Sequence, residues 1–279
     1  MFFQEWNVLV VDDEPDVLAV TKLALIDAEV YGLPIRIHTA KSKAEAMDLL
    51  NTTFAVKDVP EGSLTVGLID VVMESQHAGL ELCEHIRASQ KNQSAQLYIR
   101  TGQPGVMPER TVIDRYDISG YFTKVEMTEQ KLYTFVKSGI RQWLTSYYSK
   151  LVAELTNRAI QHAETKAQLL KMLTPIGKEF ELLMIQGIVF EQDTVLTYVT
   201  PEQVLALHDE LVMLPPVIET SEGHRFIADG KRVMTHIVET PSTADYYFVA
   251  EYTMAMPPHL YDVTFKNGLA LSMLWKRAQ

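Results

Sequence analysis

The sequence predicts an α/β chain with a five-stranded parallel, doubly wound sheet, then a long connecting helix, then a smaller α+β domain. Three observations lead there. Short apolar runs alternate with helix-like segments through about residue 125. A stripe of apolar residues spaced three or four apart then crosses a stretch without proline. From Pro175 the pattern turns to β-branched and aromatic runs separated by turn residues. Strand–helix alternation of the first kind gives a parallel sheet covered by helices on both faces.

The first strands are legible as buried apolar runs. Val8-Leu9-Val10-Val11 ends in Asp12-Asp13, and Leu64-Thr65-Val66-Gly67-Leu68-Ile69 ends in Asp70. Gln96-Leu97-Tyr98-Ile99-Arg100 ends in Thr101, and Gly120-Tyr121-Phe122-Thr123 ends in Lys124. With a further run near 35–39, the strands fall near 7–11, 35–39, 64–69, 96–100 and 119–123. Helices fall near 15–29, 42–51, 78–90, 105–115 and from 128 onward. Ser42 with Glu45 three residues later has capping-box spacing for the second helix. The long connection from Asn51 to Ser63 reads as a surface loop.

No proline occurs between Pro108 and Pro175. Within that gap Leu132, Val136, Ile140, Trp143, Tyr147, Leu151, Leu155, Ala159, Ala163, Ala167 and Leu170 share one helical face. A continuous helix over 128–173 would be about 69 Å long at 1.5 Å per residue. Its first part packs on the sheet as the fifth helix, and the rest projects beyond one domain and needs a partner. Gly139 weakens it by roughly 1 kcal/mol relative to alanine.

In the last part, runs appear at Ile185–Phe190, Thr194–Val199, His224–Ala228, Arg232–Val238 and Tyr246–Met256. Asp229-Gly230 is a hairpin signal. Thr200 caps a short helix opened by Pro201, and a closing helix runs from about Leu260 to Lys276. The domains expected are 1–127, 128–173 and 174–279.

Composition narrows the function classes. The net charge is −11 with the acidic surplus shared by both halves, which argues against a nucleic-acid surface. A single cysteine, Cys83, reads as a buried small apolar residue in a reducing cytoplasm. No apolar stretch reaches the length of a membrane span, and the start lacks a basic n-region. No membrane insertion and a cytoplasmic location are therefore expected.

The carboxyl ends of parallel strands line one crevice. Asp12, Asp13, Asp70, Thr101 and Lys124 would converge there: three carboxylates, one hydroxyl and one ammonium. That set suits a divalent cation and a transferring phosphoryl group. Clustered carboxylates repel one another unless a metal or a lysine offsets them. Any one of these residues alone would read as an exposed strand-end side chain.

Residues 7–145 resemble the receiver domain of two-component response regulators. The matching elements are Val8 to Glu14, Asp70-Val71-Val72-Met73 with Gly79-Leu80-Glu81-Leu82, Arg100-Thr101-Gly102, and Ser119 to Lys124. The resemblance implies a flavodoxin-like receiver in which Asp70 takes a phosphoryl group from a histidine kinase or phosphotransfer protein. It implies Mg²⁺ or Mn²⁺ held by Asp13 and Asp70 with the Val72 carbonyl, and by Asp12 directly or through water. Lys124 and Thr101 would bind phosphoryl oxygens. Tyr121 matches the switch aromatic, and Val72 and Gln103 flank the path of a hydrolytic water and tune the lifetime. The moved surface would comprise the fourth helix, fifth strand and fifth helix, so the state would pass along 128–173 by altered homodimer packing. Val125 stands where receivers carry proline, and Met73-Glu74 where they often carry Met-Pro.

A narrower resemblance covers more of the chain. Arg100-Thr101-Gly102-Gln103-Pro104-Gly105, Tyr116-Asp117-Ile118 and Leu132 are similar to a bacterial receiver subgroup followed by a GAF-like domain of unknown function. In that subgroup an HD-GYP cyclic-di-GMP phosphodiesterase often comes next. Residues 222–279 fit the end of the GAF-like domain. No phosphodiesterase signature is expected within these residues, since His208-Asp209 stands alone without a downstream histidine cluster or Gly-Tyr-Pro; the chain reads as standalone or as the regulatory part of a longer protein. The expectation is a cytoplasmic response regulator with a downstream protein partner and no independent catalytic domain. The alternative is a small-ligand sensor, for instance of cyclic nucleotides, working through the GAF-like domain and modulated by the receiver.

Overall fold

A computed structural model describes residues 3–54, 63–102, 109–126, 128–162, 165, 168, 182–190, 194–197, 199–238 and 245–277. The chain divides into two compact units, one spanning Glu5–Tyr147 and one from Tyr148 onward.

The first unit is built on β1 (Trp6–Val11), β2 (Glu29–Val30), β3 (Leu33–Ala40), β4 (Val66–Ile69), β5 (Gln96–Thr101) and β6 (Gly120–Thr123). Their order is β2-β3-β1-β4-β5-β6, and β1 pairs in parallel with both β3 and β4. The sheet is therefore mixed and mostly parallel. The five expected strands pair as a parallel sheet, and the two-residue β2 adds an antiparallel edge across the tight turn Tyr31-Gly32, both residues at positive φ. All six residues of β1 are buried, as expected of a central strand with both faces covered.

Helices α1 (Pro15–Leu25), α2 (Lys43–Thr52), α3 (Ala78–Glu84) and α4 (Glu109–Tyr116) connect the strands. Ser42 Oγ accepts from the Glu45 amide at 3.2 Å, and the Glu45 carboxylate reaches back to the Lys41 amide rather than to Ser42 itself. α3 passes into a π-helical turn over His85–Ser89. The expected surface loop falls largely on residues 55–62, and the expected start of the fourth helix on 105–108; both lie outside the described residues.

Helix α5 spans Glu129–His162, about 51 Å at 1.5 Å per residue. Leu132, Val136, Ile140, Trp143 and Leu144 are buried in its first part. Trp143 meets Trp6 edge-on at 6.1 Å. A Cβ at Gly139 would lie 2.9 Å from Val66 and 3.0 Å from Tyr98, so glycine here lets the helix settle onto β4 and β5. Beyond Tyr147 the helix belongs to the second unit, where Leu151 and Ala159 of the stripe are buried, as is the neighbouring Tyr148. The Leu155 side chain and residues 163, 167 and 170 lie outside the described residues.

The second unit carries β7 (Leu183–Phe190), β8 (Thr194–Thr197), β9 (Ile218–Glu219), β10 (Arg225–Asp229), β11 (Arg232–Ile237) and β12 (Tyr246–Tyr252). The order is β8-β7-β12-β11-β10-β9, with antiparallel neighbours throughout. Asp229 pairs with Arg232 across the expected hairpin. Helix α6 (Pro201–Leu211) buries Val204, Leu207 and Leu211 against Val189, Ile227, Met234 and Val249. Helix α7 (Tyr261–Arg277) brings Gly268 onto Thr235 and Phe265 beside Phe226. The end of α5 joins this unit through hydroxyls: Tyr148 and Tyr252 share a 2.8 Å hydrogen bond, and Thr264 Oγ1 donates to Tyr148 at 2.9 Å.

Candidate functional site

At the carboxyl edge of the first sheet, β1 delivers Asp12, β4 delivers Asp70, β5 ends in Thr101 and β6 runs into Lys124. Asp12, Asp70 and Thr101 are buried. The loop carrying Asp70 is fixed from two sides. The Asp70 amide donates to Val11 O at 2.9 Å, and the Gly79 amide to Val71 O at 3.1 Å. A Cβ on Gly79 would fall 1.8 Å from the Asp70 carbonyl oxygen, so only glycine lets α3 begin this close to the Asp70 backbone.

Lys124 is the hub. Its Nζ lies 2.7 Å from Asp70 Oδ2, 3.0 Å from Asp12 Oδ1 and 2.7 Å from Glu14 Oε1. Burial works against the Lys124 ammonium, but hydrogen bonds to Asp70, Glu14 and Asp12 outweigh it and hold its pKa well above the usual value. Burial raises the Asp70 carboxyl, and the hydrogen bond from Lys124 offsets part of that rise. Glu14 is shifted the other way, lowered chiefly by its hydrogen bond from Lys124.

Single oxygens of Asp12, Glu14 and Asp70 all lie within 4.8 Å of one another. Hard oxygen donors at that spacing fit a divalent cation of the Mg²⁺ or Mn²⁺ kind. The acidic group the structure brings together thus differs from the one expected by one residue. Asp13 is exposed and stands outside it, and Glu14 takes the third place. The reason is local: the chain bends at Asp13, the Glu14 amide donates to Asp12 Oδ1 at 3.1 Å, and the Glu14 carboxylate meets Lys124 at 2.7 Å.

The other expected residues surround this group. The Val72 amide faces Asp70 Oδ1 at 3.4 Å. Tyr121 on β6 is half-buried against the core; its phenol pKa is raised by burial, with the charges of Glu109 and Asp70 adding to the rise. Gly102 is exposed, 3.6 Å from Lys124 Cδ when a Cβ is built on it. Gln103 lies outside the described residues.

One residue at the site has no counterpart among those expected. Arg100 is buried; its Nη2 donates to Asp12 Oδ2 at 3.2 Å and its Nη1 to Thr21 Oγ1 on α1 at 2.6 Å. The signal for it was a charge at the end of an apolar strand run, which sequence reading takes as a strand terminus.

No family model matches the chain. The 3'3'-cGAMP-specific phosphodiesterase 2 of Vibrio cholerae serotype O1 is 36% identical over 140 residues, 50% of this chain and 25% of that protein. The chain thus spans about a quarter of the curated relative's length. Among solved structures, the signal receiver domain of an HD domain-containing protein from Pseudomonas fluorescens Pf-5 is 18% identical, with a TM-score of 0.42. That alignment covers 52% of this chain and 94% of that one. A CheY-like receiver domain protein from Methanospirillum hungatei JF-1 is 20% identical, over 50% and 97%, with a TM-score of 0.37. The phosphorylated cyanobacterial phytochrome response regulator RcpA is 19% identical, over 51% and 96%, with a TM-score of 0.37. These neighbours are response regulator receiver domains matching about half the chain. Among the described residues no helix is long and apolar enough to cross a membrane.

Proposed function

We propose that the chain is a response regulator that accepts a phosphoryl group on Asp70 from a phosphohistidine donor, with Mg²⁺ or Mn²⁺ at the acidic group. The observation that carries this reading is Lys124 Nζ within 3.0 Å of both Asp12 and Asp70, at the carboxyl edge of a mostly parallel sheet. An Asp70 carboxylate oxygen attacks phosphorus while the phosphorus–nitrogen bond breaks and the imidazole leaves. Lys124 holds one phosphoryl oxygen and the Thr101 hydroxyl another; most of the catalysis is such positioning. A bound divalent cation would supply charge neutralisation among these oxygens. Asp12 and Glu14, with Asp13 next to them and the Val72 carbonyl beyond Asp70, are the ligands this chain offers.

In this reading Tyr121 and Thr101 form the switch, and Val72 and Gln103 set the lifetime. The state passes along α5 to a GAF-like second unit that serves assembly or a downstream protein. A homodimer through exposed positions of 128–173, such as Ile160, is part of the proposal. Beryllofluoride with Mg²⁺ tests the site and its output together. Tyrosine and tryptophan fluorescence and the mass in solution should respond in the wild type and not in Asp70→Asn. An equal response in the variant would remove Asp70 from the account.

A second reading is favoured by the cyclic-dinucleotide-specific relative. The chain would bind such a nucleotide, through the second unit, as a ligand or substrate. Calorimetric titration with 3'3'-cGAMP, followed by chromatography of the nucleotide, tests it; no heat and no turnover would reject it.

A further inference from the structure

The buried Arg100 side chain has no place in the chemistry above. It is only 5% exposed, and its partner Asp12 is fully buried. Its guanidinium spans from Asp12 Oδ2 to Thr21 Oγ1, and its Nε has no hydrogen-bond partner among the described residues. Burial lowers the Arg100 pKa, and Asp12 opposes that, yet a guanidinium stays charged in a protein.

Both Asp12 oxygens are therefore engaged, Oδ1 by Lys124 and Oδ2 by Arg100. The three carboxylates face two positive charges, and only one of them is fixed. Lys124 can swing to a phosphoryl oxygen, since its chain is flexible and partly accessible. Arg100 cannot follow: it is pinned below the edge by Thr21, whose hydroxyl is itself tied to Val17 O at 2.7 Å.

We propose that Arg100 is a built-in counter-charge that sets a low affinity of the acidic group for divalent cations. It acts by its charge, through Asp12, and does not touch the phosphoryl group. This rests on the cation-assisted phosphoryl-acceptor reading. Thr21 anchors the guanidinium, so the positive charge is present whether or not a cation is bound. A unit positive charge paired to the same carboxylate that would hold a divalent cation repels it by an amount worth on the order of tenfold in binding, even at the dielectric of water. The sign separates this role from a purely structural one. If Arg100 served only to orient Asp12 as a ligand, its loss would weaken cation binding. As a counter-charge, its loss tightens it.

The test is a Mn²⁺ titration of the full chain, read by the paramagnetic resonance of free Mn²⁺. Arg100→Gln keeps N–H donors for Asp12 and removes the charge; Arg100→Lys keeps the charge and removes the fork. Arg100→Gln should bind Mn²⁺ about tenfold more tightly than the wild type, and Arg100→Lys should stay within a few-fold of it. Unchanged or weaker binding by Arg100→Gln overturns the proposal. Should Arg100→Gln not fold, tighter binding by Arg100→Lys than by the wild type would equally overturn it, because the charge would then not matter. Failure of the underlying reading looks different. In that case a small-molecule phosphodonor adds nothing to Asp70 in the wild type or any variant. A wild type phosphorylated on Asp70 with Arg100→Gln unaltered in Mn²⁺ affinity rejects Arg100's role alone.

Discussion

The ammonium of Lys124 lies 2.7 Å from Oδ2 of Asp70, a carboxylate almost wholly withdrawn from solvent. The same ammonium also serves Asp12 and the exposed Glu14, but Asp12 keeps Arg100, so removing Lys124 leaves chiefly the buried Asp70 carboxylate without its positive partner. Breaking a buried ion pair by deleting one partner costs about 3 kcal/mol or more. Lys124→Met should therefore melt well below the wild type. A divalent cation can replace the lost charge, so millimolar Mg²⁺ should raise the melting temperature of the variant more than that of the wild type. Equal shifts in the two proteins would show that a divalent cation does not take over the charge that Lys124 supplies to these carboxylates.

Gly79 allows α3 to start against the Asp70 backbone, where a Cβ would come within 1.8 Å of the carbonyl oxygen. No rotamer relieves a clash with the main chain. Gly79→Ala should lose about 3 kcal/mol or more in urea denaturation, despite the better helix propensity of alanine. A stability within error of the wild type would mean that the Asp70 loop is not held as described.

Cys83 is fully buried, and burial pushes its thiol up from 9.0 to about 12. Between these values the unfolded chain has released the proton and the folded chain keeps it. The folded state then binds more protons, so stability falls as pH rises. Relative to Cys83→Ala, the wild type should lose about 1.4 kcal/mol per pH unit between about pH 9 and pH 12. Parallel pH profiles for the two proteins would contradict this burial. At neutral pH the thiol should resist alkylation until the protein is denatured.

The tail of α5 belongs to the second unit through Tyr148, whose hydroxyl meets Tyr252 and Thr264. Tyr148→Phe removes that hydroxyl while keeping the ring, and Thr264 retains its bond to Leu260 O. The expected cost is about 1–2 kcal/mol, seen as a lowered calorimetric transition. Tyr148→Ala should cost more, since it also empties the ring's place. An unchanged transition in Tyr148→Phe would argue against the buried hydroxyl network.

Much of the first unit can be read in the sequence because buried parallel strands leave short apolar runs, and chemistry collects where those runs end. Asp12, Asp70, Thr101 and Lys124 stand at such ends. Glu14 is harder to see, since its place depends on the bend at Asp13 and on its amide's hydrogen bond to Asp12, not on the strand. Arg100 is hidden because a single charge in an apolar run looks like its terminus; only the partner on α1 shows that it is buried. β2 has two residues and so carries no periodicity. Gly139 reads as a weak point in a helix, yet Val66 and Tyr98 make it a contact. The helical stripe is plain in sequence, but periodicity cannot say what covers it; beyond Tyr147 the helix belongs to the second unit, where Leu151 and Ala159 are buried.

The central claim is that Asp70 is a phosphoryl acceptor. Intact-protein and peptide mass spectrometry after incubation with acetyl phosphate and Mg²⁺ tests it most directly. One phosphoryl increment should appear on the wild type, map to the peptide holding Asp70, and vanish in Asp70→Ala and on chelation of the metal. An unmodified wild type, or an increment that survives in Asp70→Ala, would contradict the account.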